Sequence, residues 1–191
     1  MFCRLPYGGL MRKAVCVYGA SRMGSSPAFQ SEAIQLGRGL AESNADIVYG
    51  GANVGLMREM ANAAKENGSR VIGVIPTMLV EKELAHDGLD ELHVVEGMHE
   101  RKAKMMARAD AFVAMPGGVG TLEELFEVVT WTQIGLLKKP IAILNVAGFY
   151  DALLAFMEGA VQSELVPRET VSALIVEPTA ARICASLRER W

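Results

Sequence analysis

The sequence has 191 residues, 51% of them hydrophobic and 21% charged, with a formal net charge of −3. That length suits one domain, and the composition excludes intrinsic disorder, which needs few apolar residues and much charge. No basic excess favours a nucleic-acid polymer as partner, although a small anion needs only a local positive site.

Three cysteines, Cys3, Cys16 and Cys184, are odd in number, far apart and form no CxxC. They imply a reducing compartment, with neither a disulfide framework nor a zinc knuckle. The start shows no secretory-signal pattern, and no apolar run reaches the length of a membrane span, so a cytoplasmic protein without membrane contact is expected. The first ten residues fit no periodic pattern. Residues 1–12 are expected to be an N-terminal extension, with Met1 and Met11 both open as the start.

Beyond it, short apolar runs alternate with amphipathic stretches. Residues 13–18 are apolar and β-branched and are stopped by Gly19, which predicts a buried strand. Helical spacing of Ala33, Ile34, Leu36 and Leu40 predicts a helix over 26–42. A strand at 46–49 is followed by a helix over 54–67, with Gly68 placed as its C-terminal cap. Residues 71–75 read as a strand stopped at Pro76, and 77–90 as a polar excursion on the active-site side. A strand at 92–95, a helix at 99–109, a strand at 111–115 and a long helix over 121–137 come next. The chain closes with a strand at 141–144, a helix at 149–162, a short strand at 174–176 and a helix at 179–190. Continuous apolar strands separated by helices imply a parallel sheet covered on both faces. The expected fold is therefore α/β: a single Rossmann-like, doubly wound domain over 13–191, with a mostly parallel sheet of about seven strands. Such sheets bind ligands beyond the carboxyl ends of their strands, so the loops after the strands carry the interest.

Three of those loops are rich in glycine. The first is Gly19-Ala20-Ser21-Arg22-Met23-Gly24, the second Gly50-Gly51-Ala52-Asn53-Val54-Gly55, the third Pro116-Gly117-Gly118-Val119-Gly120-Thr121. Glycine lets backbone N–H groups approach a ligand, and a following helix start adds free donors and a partial positive charge, a combination that suits phosphate. None of the three is a GxGxxG with an acidic residue about 20 positions on, and none is GxxxxGK[ST]. Tight turns made for packing account for the first equally well, and for the second less readily.

The third loop is more specific. Thr121 and Glu124 fit a helix capping box, which by itself would explain the glutamate. The functional reading places the Glu124 carboxylate beside an anion cradle. A helix start is expected to keep it ionised, which suits stabilising a cation or activating water better than donating a proton. The run Met98-His99-Glu100-Arg101-Lys102-Ala103-Lys104-Met105-Met106 puts three cations within four positions. It reads either as a solvated helix face or, starting just after a strand, as a ligand-side group in which Arg101 offers a planar fork to phosphate or carboxylate. His99 reads as a capping or packing residue, Met105 and Met106 as core. There is no HExxH or helical histidine pair, no GxSxG and no lysine in a Schiff-base context, so neither a metal nor a cofactor is expected.

Together these residues resemble the Lonely Guy (LOG) family. Residues 116–124 match its PGGxGTxxE motif, residues 98–105 its MHxRKxxM motif, and residues 49–57 its YGGGxxGLMG stretch, within a resemblance covering about residues 13–180. Members have often been labelled lysine decarboxylases, a chemistry with no support in this sequence. The resemblance implies a cytokinin riboside 5′-monophosphate phosphoribohydrolase. Such enzymes cleave the N-glycosidic bond of an adenine-type nucleoside 5′-monophosphate to free base and ribose 5-phosphate. It also implies a homodimer with sites near the subunit interface. Carried over by position, Arg101 and Glu124 are catalytic, while Glu83, Arg101, Lys102, Gly117, Gly118, Val119, Gly120, Thr121, Leu122, Glu123 and Thr130 line the nucleotide site. Glu123 stays open as the alternative to Glu124 at the reacting carbon. Ala52 and Arg58 stand where the family has glycines, and Gly19-Ala20-Ser21 departs from its usual first loop. These departures bear on base preference, for which Met23, Leu56, Leu84 and Leu89 are candidate apolar wall residues. The alternative is a non-catalytic nucleotide or molybdenum-cofactor carrier, which needs the cradle but not the carboxylate.

Overall fold

The computed structural model describes residues 12–83 and 85–191, and for Glu81 and Glu83 the backbone alone. The expected extension, apart from Arg12, and the choice of start residue lie outside the described residues. In chain order the elements are β1 (Lys13–Tyr18), α1 (Pro27–Glu42), β2 (Ala45–Tyr49), α2 (Gly55–Glu66), β3 (Val71–Pro76), α3 (Thr77–Glu83), β4 (Glu91–Val95) and α4 (Met98–Arg108). They continue with β5 (Ala111–Ala114), α5 (Val119–Gln133), β6 (Ile141–Leu144), a 3₁₀ turn (Val146–Gly148), α6 (Asp151–Gln162), α7 (Arg168–Ser172), β7 (Ile175–Glu177) and α8 (Ala180–Arg188).

The seven strands form one sheet in the order β4-β3-β2-β1-β5-β6-β7. Every pairing is parallel. The period-2 alternation of side chains splits β1 between two cores. Val15 and Val17 join Leu36, Leu40, Met60 and Leu187 on the face covered by α1, α2 and α8. Cys16 and Tyr18 join Met105, Phe112, Leu125 and Val128 on the face covered by α4 and α5. Cys16 and Cys184 are buried free thiols, and burial pushes Cys184 up to about 11, which leaves it unreactive near neutral pH. No helix among the described residues is long and apolar enough to cross a membrane.

Two helices go beyond the expected pattern. The polar excursion begins with α3, and α7 lies in a stretch without apolar periodicity. The long helix also differs at both ends. It starts two residues earlier, at Val119, and stops at Gln133 because Gly135 turns into the left-handed region (φ +79°). Gly135 N–H then donates to Thr132 O at 3.1 Å and Leu136 N–H to Trp131 O at 2.9 Å, a Schellman closure that satisfies the last carbonyls.

The tightest helix contact joins α1 to α2 across Gly37. A methyl group there would overlap the Met60 carbonyl oxygen and sit 2.8 Å from Ala64 N. Gly37→Ala is therefore expected to destabilise the protein by about 1–3 kcal/mol, although alanine is the better helix former. Thermal unfolding checks this, and a melting temperature equal to that of the parent would show that the two helices part at no cost.

Candidate active site

The chain steps outward from β1 to β4 and then returns to β5 on the other side of β1. Where the order reverses, the helices that follow β1 and β5 go to opposite faces of the sheet, as at a topological switch point. A cavity of about 730 Å³ opens there. Its walls are the first glycine loop, the start of α2, the first turns of α4, and the third glycine loop running into α5.

The start of α5 is built to leave donors free. Gly118 is its N-cap and no side chain caps it. The Thr121–Glu124 capping box, the alternative explanation of the glutamate, does not form, because the helix already begins at Val119. Thr121 sits within the first turn, buried, with its hydroxyl packed where a side chain on Gly117 would lie. Tyr150 Oη donates to Met115 O at 2.7 Å and braces the strand end that feeds the loop. The amides of the first turn therefore face the cavity without an internal acceptor, a ready anion site.

Arg101 lies at the floor, only 7% exposed. Its Nε donates to Val74 O at 3.1 Å and its Nη2 to Gly50 O at 3.2 Å. Nη1 has only the Met98 sulfur, at 3.8 Å. Gly50 is required beneath it, since a Cβ there would overlap the guanidinium. Lys102 is already engaged. Its ammonium meets Glu123 and, at 3.2 Å, Glu127. Burial works against that charge, but the hydrogen bonds to the two carboxylates outweigh it and hold Lys102 above its ordinary range.

Glu124 lines the cavity beside Arg101. Burial pushes its carboxyl up to about 7, with Arg101 and Lys102 opposing the rise and Glu123 and Glu127 adding to it. The expectation of a firmly ionised glutamate at a helix start is corrected by this. Loss of hydration outweighs the helix dipole, and both protonation states coexist near neutral pH.

Of the residues singled out from the sequence, Arg101, Gly117, Gly118, Val119, Gly120, Thr121, Glu123 and Glu124 meet at this one cavity. Leu122 packs instead against the core, and Thr130 lies exposed three turns along α5. Lys102 turns to its two carboxylates. Glu83 ends α3, and its side chain lies outside the described residues, as does Leu84. His99 is exposed in the first turn of α4. Of the candidate apolar residues, Leu56 lines the cavity, whereas Met23 and Leu89 pack against the core. No motif marks Phe29 and Phe149, which line the cavity as an edge-to-face pair with centroids 5.4 Å apart. They lie on different elements, and only the fold brings them together.

A family model described as "Possible lysine decarboxylase" matches residues 57–187. The cytokinin riboside 5′-monophosphate phosphoribohydrolase LOG of Oryza sativa subsp. japonica is 45% identical over 177 residues, 93% of this chain and 73% of that protein. LOG7 of Arabidopsis thaliana, of the same description, is 43% identical over 177 residues, 93% of this chain and 82% of its own. The chain belongs to the LOG family.

The LOG motifs acquire physical meaning in this geometry. The glycines of the third loop expose the α5 amides, and the arginine of the MHxRKxxM run reaches across β3 to the glycine that follows β2. Among solved structures, the molybdenum cofactor binding protein from the phototrophic bacterium Rippkaea orientalis is similar, with a TM-score of 0.69 and 22% identity. The match covers 95% of this chain and 98% of that one, and at this identity it speaks for the fold.

Proposed function

We propose that this LOG-family protein hydrolyses the N-glycosidic bond of adenine-type nucleoside 5′-monophosphates, cytokinin riboside monophosphates or AMP, releasing free base and ribose 5-phosphate. The observation that carries the reading is the shared cavity of Arg101, Glu124 and an uncapped helix start, an acid–base group beside an anion site. The names of the relatives support the same substrate class.

The amides at Gly118–Thr121 receive the 5′-phosphate. Binding energy gathered there holds C1′ of the ribose against Glu124. As the C1′–N bond breaks, its electron pair leaves with the base and C1′ gains oxocarbenium character, as in glycoside hydrolysis. The ionised Glu124 carboxylate faces that charge and takes a proton from the water whose oxygen bonds to C1′. The departing base gains a proton in turn, so one water is divided between the products. Glu123 is exposed and held by Lys102, which favours Glu124 for this role. Arg101 directs Nη1 toward the substrate.

Residues 13–191 form the catalytic domain of a cytoplasmic homodimer. In support, Ile134, Leu136, Phe156 and Leu165 stand exposed at the end of α5 and along and beyond α6, large apolar side chains that a second subunit would cover. Thr130 shares that exposed side of α5.

Chromatography of products after incubation with AMP, isopentenyl-AMP and the matching nucleosides tests the activity. Base is expected from the monophosphates and none from the nucleosides, because the phosphate anchors the reaction. Nucleotide binding without base release would mark a carrier instead.

A further inference from the structure

We propose that Arg22 is a further substrate-binding residue, which closes over the phosphate end of the cavity from the first glycine loop. The proposal rests on the nucleotide reading above and adds a contact to it.

The loop that carries Arg22 is fixed on two sides. Ala20 N–H donates to Pro116 O at 3.2 Å, tying it to the third glycine loop. Ala20 O accepts from Met57 N–H at 3.4 Å, tying it to the start of α2. Gly55, at φ +59°, makes room for it, since a Cβ there would overlap the Ser21–Arg22 peptide. The backbone of Arg22 is therefore set before any ligand arrives. Its side chain is exposed, lines the cavity and makes no ion pair or hydrogen bond among the described residues.

The charges around the cavity make that freedom matter. Its lining holds two cations, Arg22 and Arg101, and two carboxylates, Glu123 and Glu124. Arg101 is anchored at the floor by the Val74 and Gly50 carbonyls. Lys102, next to Arg101 in the chain, is held by Glu123 and Glu127. A phosphate monoester carries close to two negative charges at neutral pH, and a helix start supplies only about half a positive one. Arg101 has only Nη1 to offer, whereas the whole planar fork of Arg22 is uncommitted among the described residues and can grip two phosphate oxygens at once.

Two measurements on wild type, Arg22→Ala and Arg22→Lys test this: steady-state kinetics with AMP and isopentenyl-AMP, and calorimetric binding of inorganic phosphate. Arg22→Ala is expected to raise KM about ten- to hundredfold, with the loss falling mainly on KM, and to weaken phosphate binding by a similar factor. Arg22→Lys should recover part of both, because it keeps the charge but lacks the fork. Melting temperatures without ligand establish that the variants are folded. A folded Arg22→Ala with unchanged KM and phosphate affinity overturns the proposal, and so does a loss confined to kcat. Should wild type release no base from any monophosphate, the hydrolase reading fails on its own. Phosphate binding then decides alone: equal affinity in wild type and Arg22→Ala removes Arg22 from the site, and weaker binding by the variant keeps it there.

Discussion

Glu124→Gln is expected to lower turnover by about 10²-fold or more while making the protein more stable. The two effects have one cause. The carboxyl has an ordinary value of 4.5 and stands at about 7 in the folded chain because burial strips it of water. The folded state therefore binds this proton more tightly than the unfolded state does. The resulting stability is present in full below about 4.5 and is lost as pH rises through about 7. Above that, ionised Glu124 costs the fold about 3 kcal/mol, which glutamine avoids. A gain of roughly 6–10 °C in melting temperature is expected at pH 8, shrinking toward nothing near pH 4. The kinetic counterpart has the opposite sense. If the carboxylate is the working form, kcat/KM rises with pH through about 7 and levels off above it. The substrate phosphate titrates near 6 as well, but that step survives in Glu124→Gln, so the step that disappears is the one to assign. A folded glutamine variant with normal base release would remove Glu124 from the chemistry, and equal stability at pH 8 would mean that the carboxyl is better hydrated than its surroundings indicate.

The strands are legible because burial on both faces leaves a continuous apolar run in the central ones, and all seven begin and end within one residue of where the pattern places them. The third glycine loop was legible too, since glycines at a strand–helix turn have few purposes. Local rules misled where a tertiary demand overrode them. Thr121 and Glu124 have the spacing of a capping box, yet Thr121 is needed as packing over Gly117 and Glu124 is aimed at the cavity, so neither caps. The end of α5 was overrun because its apolar residues continue past Gly135, and only the left-handed turn at that glycine reveals the stop. What no local pattern carries is the protonation of Glu124. That depends on how much water the first loop, α4 and α5 exclude together, a property of the assembled walls. The same holds for Arg22. In the sequence it is one cation in a loop, and its meaning comes from Arg101 and Lys102 being engaged elsewhere.

Arg101→Lys is expected to reduce kcat/KM by about 10²-fold and to cost about 1–3 kcal/mol of stability, even though the charge is kept. The guanidinium does three things with three nitrogens. Nε and Nη2 satisfy the Val74 carbonyl within β3 and the Gly50 carbonyl just after β2, and Nη1 is left for the ligand. A single ammonium cannot meet two carbonyls and the substrate together, so at least one buried acceptor goes unpaired or the ligand contact is lost. Gly50→Ala attacks the same arrangement from below. It leaves Arg101 in the chain but fills the space its Nη2 occupies, with the new Cβ 3.2 Å from Cζ. Its activity should fall nearly as far, and the double variant should lose little more than either single one, since both remove one placement of one group. Additive losses would mean that Gly50 and Arg101 act separately. Arg101 also opposes the rise of the Glu124 carboxyl, so in Arg101→Gln the pH step in kcat/KM should move above 7. A step that stays in place would show that the guanidinium and the carboxyl do not share one electrostatic site, and with that the pairing at the heart of the proposed reaction would fall.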